Sequence, residues 1–227
     1  MEDIQIEDWK FNQDTAKKFA EHARKHIPGY DRVIDKSVKF IEYHVKKTEP
    51  IIDVGCATGE TLKRLNQIGF TNLHGVDNSI DMLNEIPKNI ATLTCSDGFP
   101  QDKKYKAITM NWTLHFIKNK LEYMKNISNG LEQDGFLILT DKTQNDGKFL
   151  DLYHNFKKQQ GLTDLEIETK AKQLRNIMYI DSQEWYLSQL KSFNFSDVVI
   201  IDADWCFTTF IAKKKITRSR TSNSIKQ

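Results

Sequence analysis

The sequence predicts an α/β fold: a doubly wound, mostly parallel sheet of seven strands, with a helical insertion before the last two strands. Three observations predict it. Short apolar runs alternate with stretches of helical period from Ile51 to Thr140. The first run feeds a loop of small residues, Gly55-Cys56-Ala57-Thr58-Gly59, and the second ends on an acid, Asp77. Two more strand-like runs, 198–201 and 207–212, follow a long polar stretch and meet around Asp204.

The elements follow in order. Residues 14–27 carry a partial apolar stripe, Ala16, Phe19, Ala20 and Ala23, and are predicted helical. Pro28-Gly29 breaks the chain, and helical spacing resumes over 30–45 through Val33, Ile34, Val38, Ile41 and Val45. Pro50 stops any helix, so 51–54 reads as the first strand. Glu60 opens a helix reaching Ile68 and ended by Gly69. The second strand covers 73–76, and Ser79 can cap a helix over 80–86, ahead of Pro87. Strands are predicted at 91–95, 105–110 and 136–140, with a helix over 120–131 and a turn over 132–135. Residues 146–175 are mostly charged, with helical period around Phe149, Leu152, Tyr153 and Phe156, and Gly161 divides them. They read as a helical insertion, about 146–177, placed over the cleft. Ser182 can cap a helix through Leu190. Residues 1–212 thus read as one domain with a helical cap over 1–49. The basic, apolar-poor stretch 213–227 reads as a disordered tail.

Composition narrows the function. With 28% charged and 39% hydrophobic residues in 227, the chain suits one soluble domain with a sizeable core. A net charge of +2 makes no strong electrostatic demand for nucleic acid. The three cysteines, Cys56, Cys95 and Cys206, are dispersed and lack metal-ligand spacing, so no metal site is expected. An odd count fits reduced thiols and a cytoplasmic protein. No apolar run approaches the ~20 residues of a membrane-spanning helix, and the acidic N-terminus lacks a signal peptide's layout.

The chemistry concentrates in 51–79. Gly55, Ala57 and Gly59 let a ligand approach the backbone, and Asp77 lies about 20 residues on, where an acid can accept from ribose hydroxyls. Asp53, just before the loop, adds like charge against a pyrophosphate but suits a ligand bearing an ammonium and a sulfonium. At the fourth strand's carboxyl end stand Asn111, Trp112 and His115; an aromatic face there favours a sulfonium, and the histidine is a candidate base. Tyr30, His22 and His26 lie near the Pro28-Gly29 break, within reach of a substrate.

The pattern Asp53-x-Gly55-x-Ala57-x-Gly59 resembles motif I of the class I S-adenosylmethionine (SAM) methyltransferases, and Gly75-Val76-Asp77-Asn78-Ser79 is similar to their second motif. The resemblance implies a Rossmann-like methyltransferase fold and SAM as cofactor. It places Asp53, Gly55, Cys56, Ala57, Gly59, Asp77, Asn78, Asp97 and Asn111 around SAM, with Asp97 near the adenine. Tyr30, Trp112 and His115 then face the acceptor. More specifically, Asp8-Trp9-Lys10-Phe11, Ile27-Pro28-Gly29-Tyr30, Asn111-Trp112-Thr113-Leu114-His115-Phe116, Leu165-Glu166-Ile167 and Asn176-Ile177-Met178 resemble the carboxy-SAM synthase family. That family implies a homodimer through the insertion. It also implies prephenate-dependent formation of carboxy-SAM for a tRNA wobble-uridine modification, with the added carboxylate held by an arginine. Ala171 stands at that place here. Lys170, Lys172 and Arg175 are the nearby cations, although neighbours on a helix point in different directions. The leading expectation is therefore methyl transfer from SAM to a small-molecule acceptor. Carboxy-SAM synthesis is the alternative. A non-catalytic SAM-binding protein touching RNA through its tail ranks below both, because the body is nearly neutral.

Overall fold

The computed structural model describes residues 10–144 and 147–216. Strand β1 (Ile51–Val54) lies between β2 (Leu73–Asp77) and β4 (Tyr105–Asn111), parallel to both, with Asp53 opposite Gly75 on one side and Thr109 on the other. The edge strand β3 (Thr92–Cys95) joins β2, and β5 (Leu131–Gln144) joins β4, again parallel. The antiparallel pair β7 (Phe195–Asp204) and β8 (Phe207–Lys214) closes the sheet. The order is β3-β2-β1-β4-β5-β8-β7, with the two-residue β6 (Asp181–Ser182) against the end of β5. Among the described residues this gives one strand more than the sequence predicts, because a pairing so short carries no alternation to read.

Helices cover both faces. On one side α3 (Tyr30–His44) and α4 (Glu60–Gln67) bury Ile34, Ile41, Leu62 and Leu65 against Ile51, Ala107 and Ile138. On the other, α6 (Lys120–Gly130) and α9 (Gln183–Ser192) bury Met124, Ile127, Tyr186 and Leu190 against Ile52, Ile108, Leu137 and Phe210. Successive strand residues thus enter opposite cores, and central strands read as unbroken apolar runs. Each fully buried aliphatic side chain contributes roughly 1.5–3 kcal/mol.

The helix predicted over 14–27 is two, α1 (Gln13–Lys17) and α2 (Phe19–His26), parted at Lys18, whose φ of −118° and ψ of 10° leave the helical region. Helix α5 (Ile80–Leu83) stops short of Pro87 and is capped by Ser79, whose Oγ accepts from the Met82 amide at 3.2 Å. The turn predicted at 132–135 lies inside β5, where pairing jumps from Tyr105↔Leu131 to Ala107↔Phe136 and Asp134 adopts a φ of 66°. Helices α7 (Gly147–Gln159) and α8 (Asp164–Arg175) occupy the polar stretch; a reciprocal cap between Thr163 and Glu166 starts α8. Lys213 and Lys214 belong to β8 rather than to a tail: Lys213 Nζ meets Asp134 at 2.5 Å, and Lys214 Nζ donates to the Ser128 carbonyl at 2.7 Å. The Lys215 amide still donates to the Asn194 carbonyl at 3.0 Å, and of the predicted tail only 217–227 lies outside the described residues. No helix among the described residues is long and apolar enough to cross a membrane.

Candidate functional site

A cavity of about 820 Å³ opens at the carboxyl ends of the parallel strands, under α2, α7 and α8. Its position is where open α/β sheets bind ligands, and its volume suits a nucleoside with a second molecule beside it. Tyr30, Asp53, Gly55, Cys56, Ala57, Asp77, Asn78, Asp97, Asn111, Trp112 and His115 all line it. Gly59 does not. It starts α4 in the left-handed region at φ 78°, and a Cβ there would sit 2.9 Å from Ile86.

The loop after β1 is tied down from within. The Gly55 and Cys56 amides donate to the Val76 carbonyl at 2.8 and 3.1 Å, and the Gly59 amide donates to the Cys56 carbonyl at 2.8 Å. The Ala57 amide donates to Asp77 Oδ2 at 2.9 Å, while Ser79 N–H donates to Oδ1 at 2.9 Å. With four of its amides engaged, the loop cannot cradle a phosphate as dinucleotide-binding loops do. What it offers is close approach: at Gly55 (φ 66°) a Cβ would fall 2.1 Å from Thr113 Oγ1. Asp77 keeps acceptor capacity beyond its backbone partners for a sugar hydroxyl. Asp53 is 4% exposed, accepts from Thr109 Oγ1 at 2.6 Å, and has its carboxyl pushed up to about 7 by burial, against the pull of Thr109 and Thr61. A buried acid so placed favours an incoming cation.

Tyr30 and Trp112 stack with centroids 4.8 Å apart at 24°, and Trp112 holds a left-handed φ of 55°. Two buried donors here, Asn111 Nδ2 and Trp112 Nε1, have no hydrogen-bond partner among the described residues. Asn111 Oδ1 is occupied, accepting from Thr140 Oγ1 at 2.6 Å. His115, 3% exposed on a 3₁₀ turn (Leu114–Phe116), sets Nδ1 against Asp141 Oδ1, and Tyr186 OH donates to the other Asp141 oxygen at 2.6 Å. The Lys142 amide also donates to Nδ1, at 3.3 Å, so this edge of the ring is held from two sides.

Of the opposite wall, sequence reasoning named His22, His26 and Lys170 but missed Lys142, Lys157 and His154. Lys142, Lys157 and Lys170 line the cavity together with His22, His26 and His154. Burial, reinforced by neighbouring ammonium groups, pushes Lys157 down to about 8 and Lys170 to about 6. His22 and His26 stack at 3.9 Å, and burial lowers them to about 3 and about 4. On α8, Lys170, Ala171, Leu174 and Arg175 all face the cavity, whereas Lys172 does not line it. The expectation that the neighbours of Ala171 point away is thus corrected for Lys170 and Arg175: one broad helix face covers them. Among the described residues, no group of three or more His, Cys, Asp or Glu is placed to hold a metal ion.

A parallel sheet closed by an antiparallel pair, with acids at the ends of β1 and β2 and a small-residue loop between strand and helix, defines a methyltransferase-type α/β domain. A family model described as "Methyltransferase domain" matches residues 19–198, and the chain belongs to that family. It is 28% identical to a carboxy-S-adenosyl-L-methionine synthase of Colwellia psychrerythraea, over 92% of this chain and 94% of the relative. A protein of the same name from Desulfotalea psychrophila is 29% identical, over 92% and 93%. The fold is similar to that of magnesium protoporphyrin IX methyltransferase from Synechocystis PCC 6803 with bound SAH (TM-score 0.67, 14% identity, 90% of this chain and 96% of that one). It is likewise similar to a plantazolicin methyltransferase (TM-score 0.66, 12% identity, 89% and 91%).

Proposed function

We propose that this protein is a SAM-dependent methyltransferase acting on a small-molecule acceptor. The observation that carries the reading is the run of acids along adjacent strand ends, leading to a stacked tyrosine–tryptophan pair and a carboxylate-held histidine in one cavity. Asp53 and the carbonyls and bare Cα surface of the Gly55–Ala57 loop would hold the amino-acid end of SAM. Asp77 would take the ribose and Asp97, with Asn78, the adenine side. The unpartnered Asn111 and Trp112 donors suit polar groups of either molecule. Bound SAM supplies an electrophilic methyl on a sulfonium. The aromatic stack excludes water and lines the path of the acceptor, and His115 Nε2 can take the proton it loses. Alignment does most of the work in such a site.

A second reading has specific support. Relatives named carboxy-S-adenosyl-L-methionine synthase align over nearly the whole chain, and Lys170 and Arg175 flank Ala171 in the cavity wall. Mass spectrometry after incubation with SAM separates the two. S-adenosylhomocysteine (SAH) formed only with an added acceptor supports methyl transfer, whereas a carboxylated nucleoside formed with prephenate supports the second reading. Absence of any thermal shift with SAM or SAH would overturn both. We further propose a homodimer through α7 and α8, supported by the exposed apolar Phe149, Leu152 and Leu165; a monomeric mass in sedimentation would refute it. Three free cysteines support a cytoplasmic location.

A further inference from the structure

Three polar groups run in a line through the core below the cavity. His115 sits on the 3₁₀ turn after β4, Asp141 in β5 and Tyr186 on α9, and all three are buried. Tyr186 is a core residue, its ring stacked on that of Phe210 at 5.7 Å and 21°. Its hydroxyl ends on Asp141 Oδ2, at 2.6 Å. Asp141 Oδ1 then meets His115 Nδ1, and apart from that contact it has no hydrogen-bond partner among the described residues. The turn itself is pinned, because the Tyr179 amide donates to the His115 carbonyl at 2.7 Å. Taking a carboxylate out of water is costly, and well-packed apolar residues of similar volume often serve a core at least as well. Stability alone therefore does not account for the line.

Counting partners puts a proton on Nδ1. That nitrogen faces two groups, the Asp141 carboxylate and the Lys142 amide N–H at 3.3 Å. Accepting from the amide would make one long neutral hydrogen bond and leave Asp141 Oδ1 buried and unpaired. Donating to the carboxylate satisfies that oxygen with a charge-assisted bond, roughly twice as strong as a neutral one. A neutral imidazole with its proton on Nδ1 keeps its lone pair on Nε2, and His115 lines the cavity.

We infer that Asp141, oriented by Tyr186, is a positioning residue that holds His115 in the Nδ1–H form, so that Nε2 serves as the base. This rests on the methyl-transfer reading. In that step the acceptor's X–H bond and the methyl–sulfonium bond break while X–CH₃ forms. The C–S electron pair stays on sulfur, giving SAH, and the proton goes to Nε2. The Asp141 charge stabilises the imidazolium until it returns its proton to water. The competing account is a tie that merely joins α9 to β5, with Nδ1 accepting from the Lys142 amide; it predicts an Nε2–H ring throughout.

The test is ¹⁵N NMR of the full chain with labelled histidine, at alkaline pH, where imidazoles are neutral. His115 is picked out of the six histidines by its loss in His115→Gln, and two-bond couplings show which ring nitrogen carries the proton. The wild type shows the Nδ1–H form. In Asp141→Asn the Tyr186 hydroxyl keeps the amide oxygen, so the amide NH₂ faces the ring and the proton moves to Nε2. The tautomer ratio inverts by roughly tenfold or more. Adding Tyr186→Phe frees the amide to turn its oxygen back, and the Nδ1–H form returns in part. Asp141→Leu leaves the Lys142 amide as the partner of Nδ1 and gives the same inversion should Asp141→Asn fail to fold. An Nε2–H ring in the wild type, or an Nδ1–H ring in the Asn and Leu variants, would overturn the inference. No return in the double variant would remove Tyr186 from it. SAH affinity stays within about twofold in Asp141→Asn; a larger loss would move Asp141 to the cofactor side, against the inference. The spectra need no ligand, so a wild type that fails to bind SAH sinks the SAM reading and leaves the tautomer result standing.

Discussion

Replacing Asp53 with Asn should stabilise the empty protein and cripple its cofactor binding. In the folded chain burial lifts this carboxyl from an ordinary 3.8 to about 7. The folded form thus holds the proton more tightly than the unfolded chain. Its contribution to stability is fully present below the unfolded value and is lost as pH rises through the folded one. At roughly 1.4 kcal/mol per pH unit, that rise costs about 4 kcal/mol near pH 8. Asparagine can keep the acceptor role toward Thr109 Oγ1 without the charge, so Asp53→Asn should recover a good part of it, on the order of 2–4 kcal/mol in urea unfolding near pH 8. Binding moves the other way. An amino-acid ammonium needs the ionised carboxylate, so wild-type affinity for SAH should fall roughly 30-fold, about 2 kcal/mol, from about pH 8 to about pH 5.5. The variant should bind weakly and without that slope. Calorimetry across this range checks it. A flat wild-type profile, or the same slope in the variant, would show that Asp53 does not meet the ligand's cation.

Asp77→Ala strips partners from the Ala57 and Ser79 amides as well as from the ribose, so SAH affinity should drop by about 1–3 kcal/mol, with a lower thermal midpoint. Unchanged affinity would refute the ribose assignment. Gly55→Ala forces a methyl onto Thr113 at a left-handed φ; urea titration should show a loss of about 1–3 kcal/mol or more, and Gly55→Ala with Thr113→Ala should regain part of it. Trp112→Ala removes the stack on Tyr30, so turnover should fall roughly tenfold or more while SAH affinity changes less. Equal losses in both would move Trp112 to the cofactor side.

Much of the nucleoside end is legible along the chain. Asp53 and the small residues at 55 and 57 are neighbours in sequence, so a strand–loop–helix unit brings them together by its covalent geometry alone, and Asp77 closes the next strand of the same unit. Other features are invisible there. The engagement of the loop amides by Val76 and Asp77 depends on parallel pairing of β1 with β2. The break at Lys18 and the bulge at 132–135 are local, yet helix and turn propensities near them point to smoother elements.

By itself the sequence determined an α/β sheet with a ligand-binding loop after its first strand, because apolar period and loop composition report directly on backbone conformation. Only the tertiary structure decided where the charged insertion turns its lysines. Lys142 and Lys157 come from a strand and a helix, and in sequence they look like any solvated residues. Packing over the Tyr153 ring removes their water, and desolvation, which no residue spacing encodes, makes a basic wall of them.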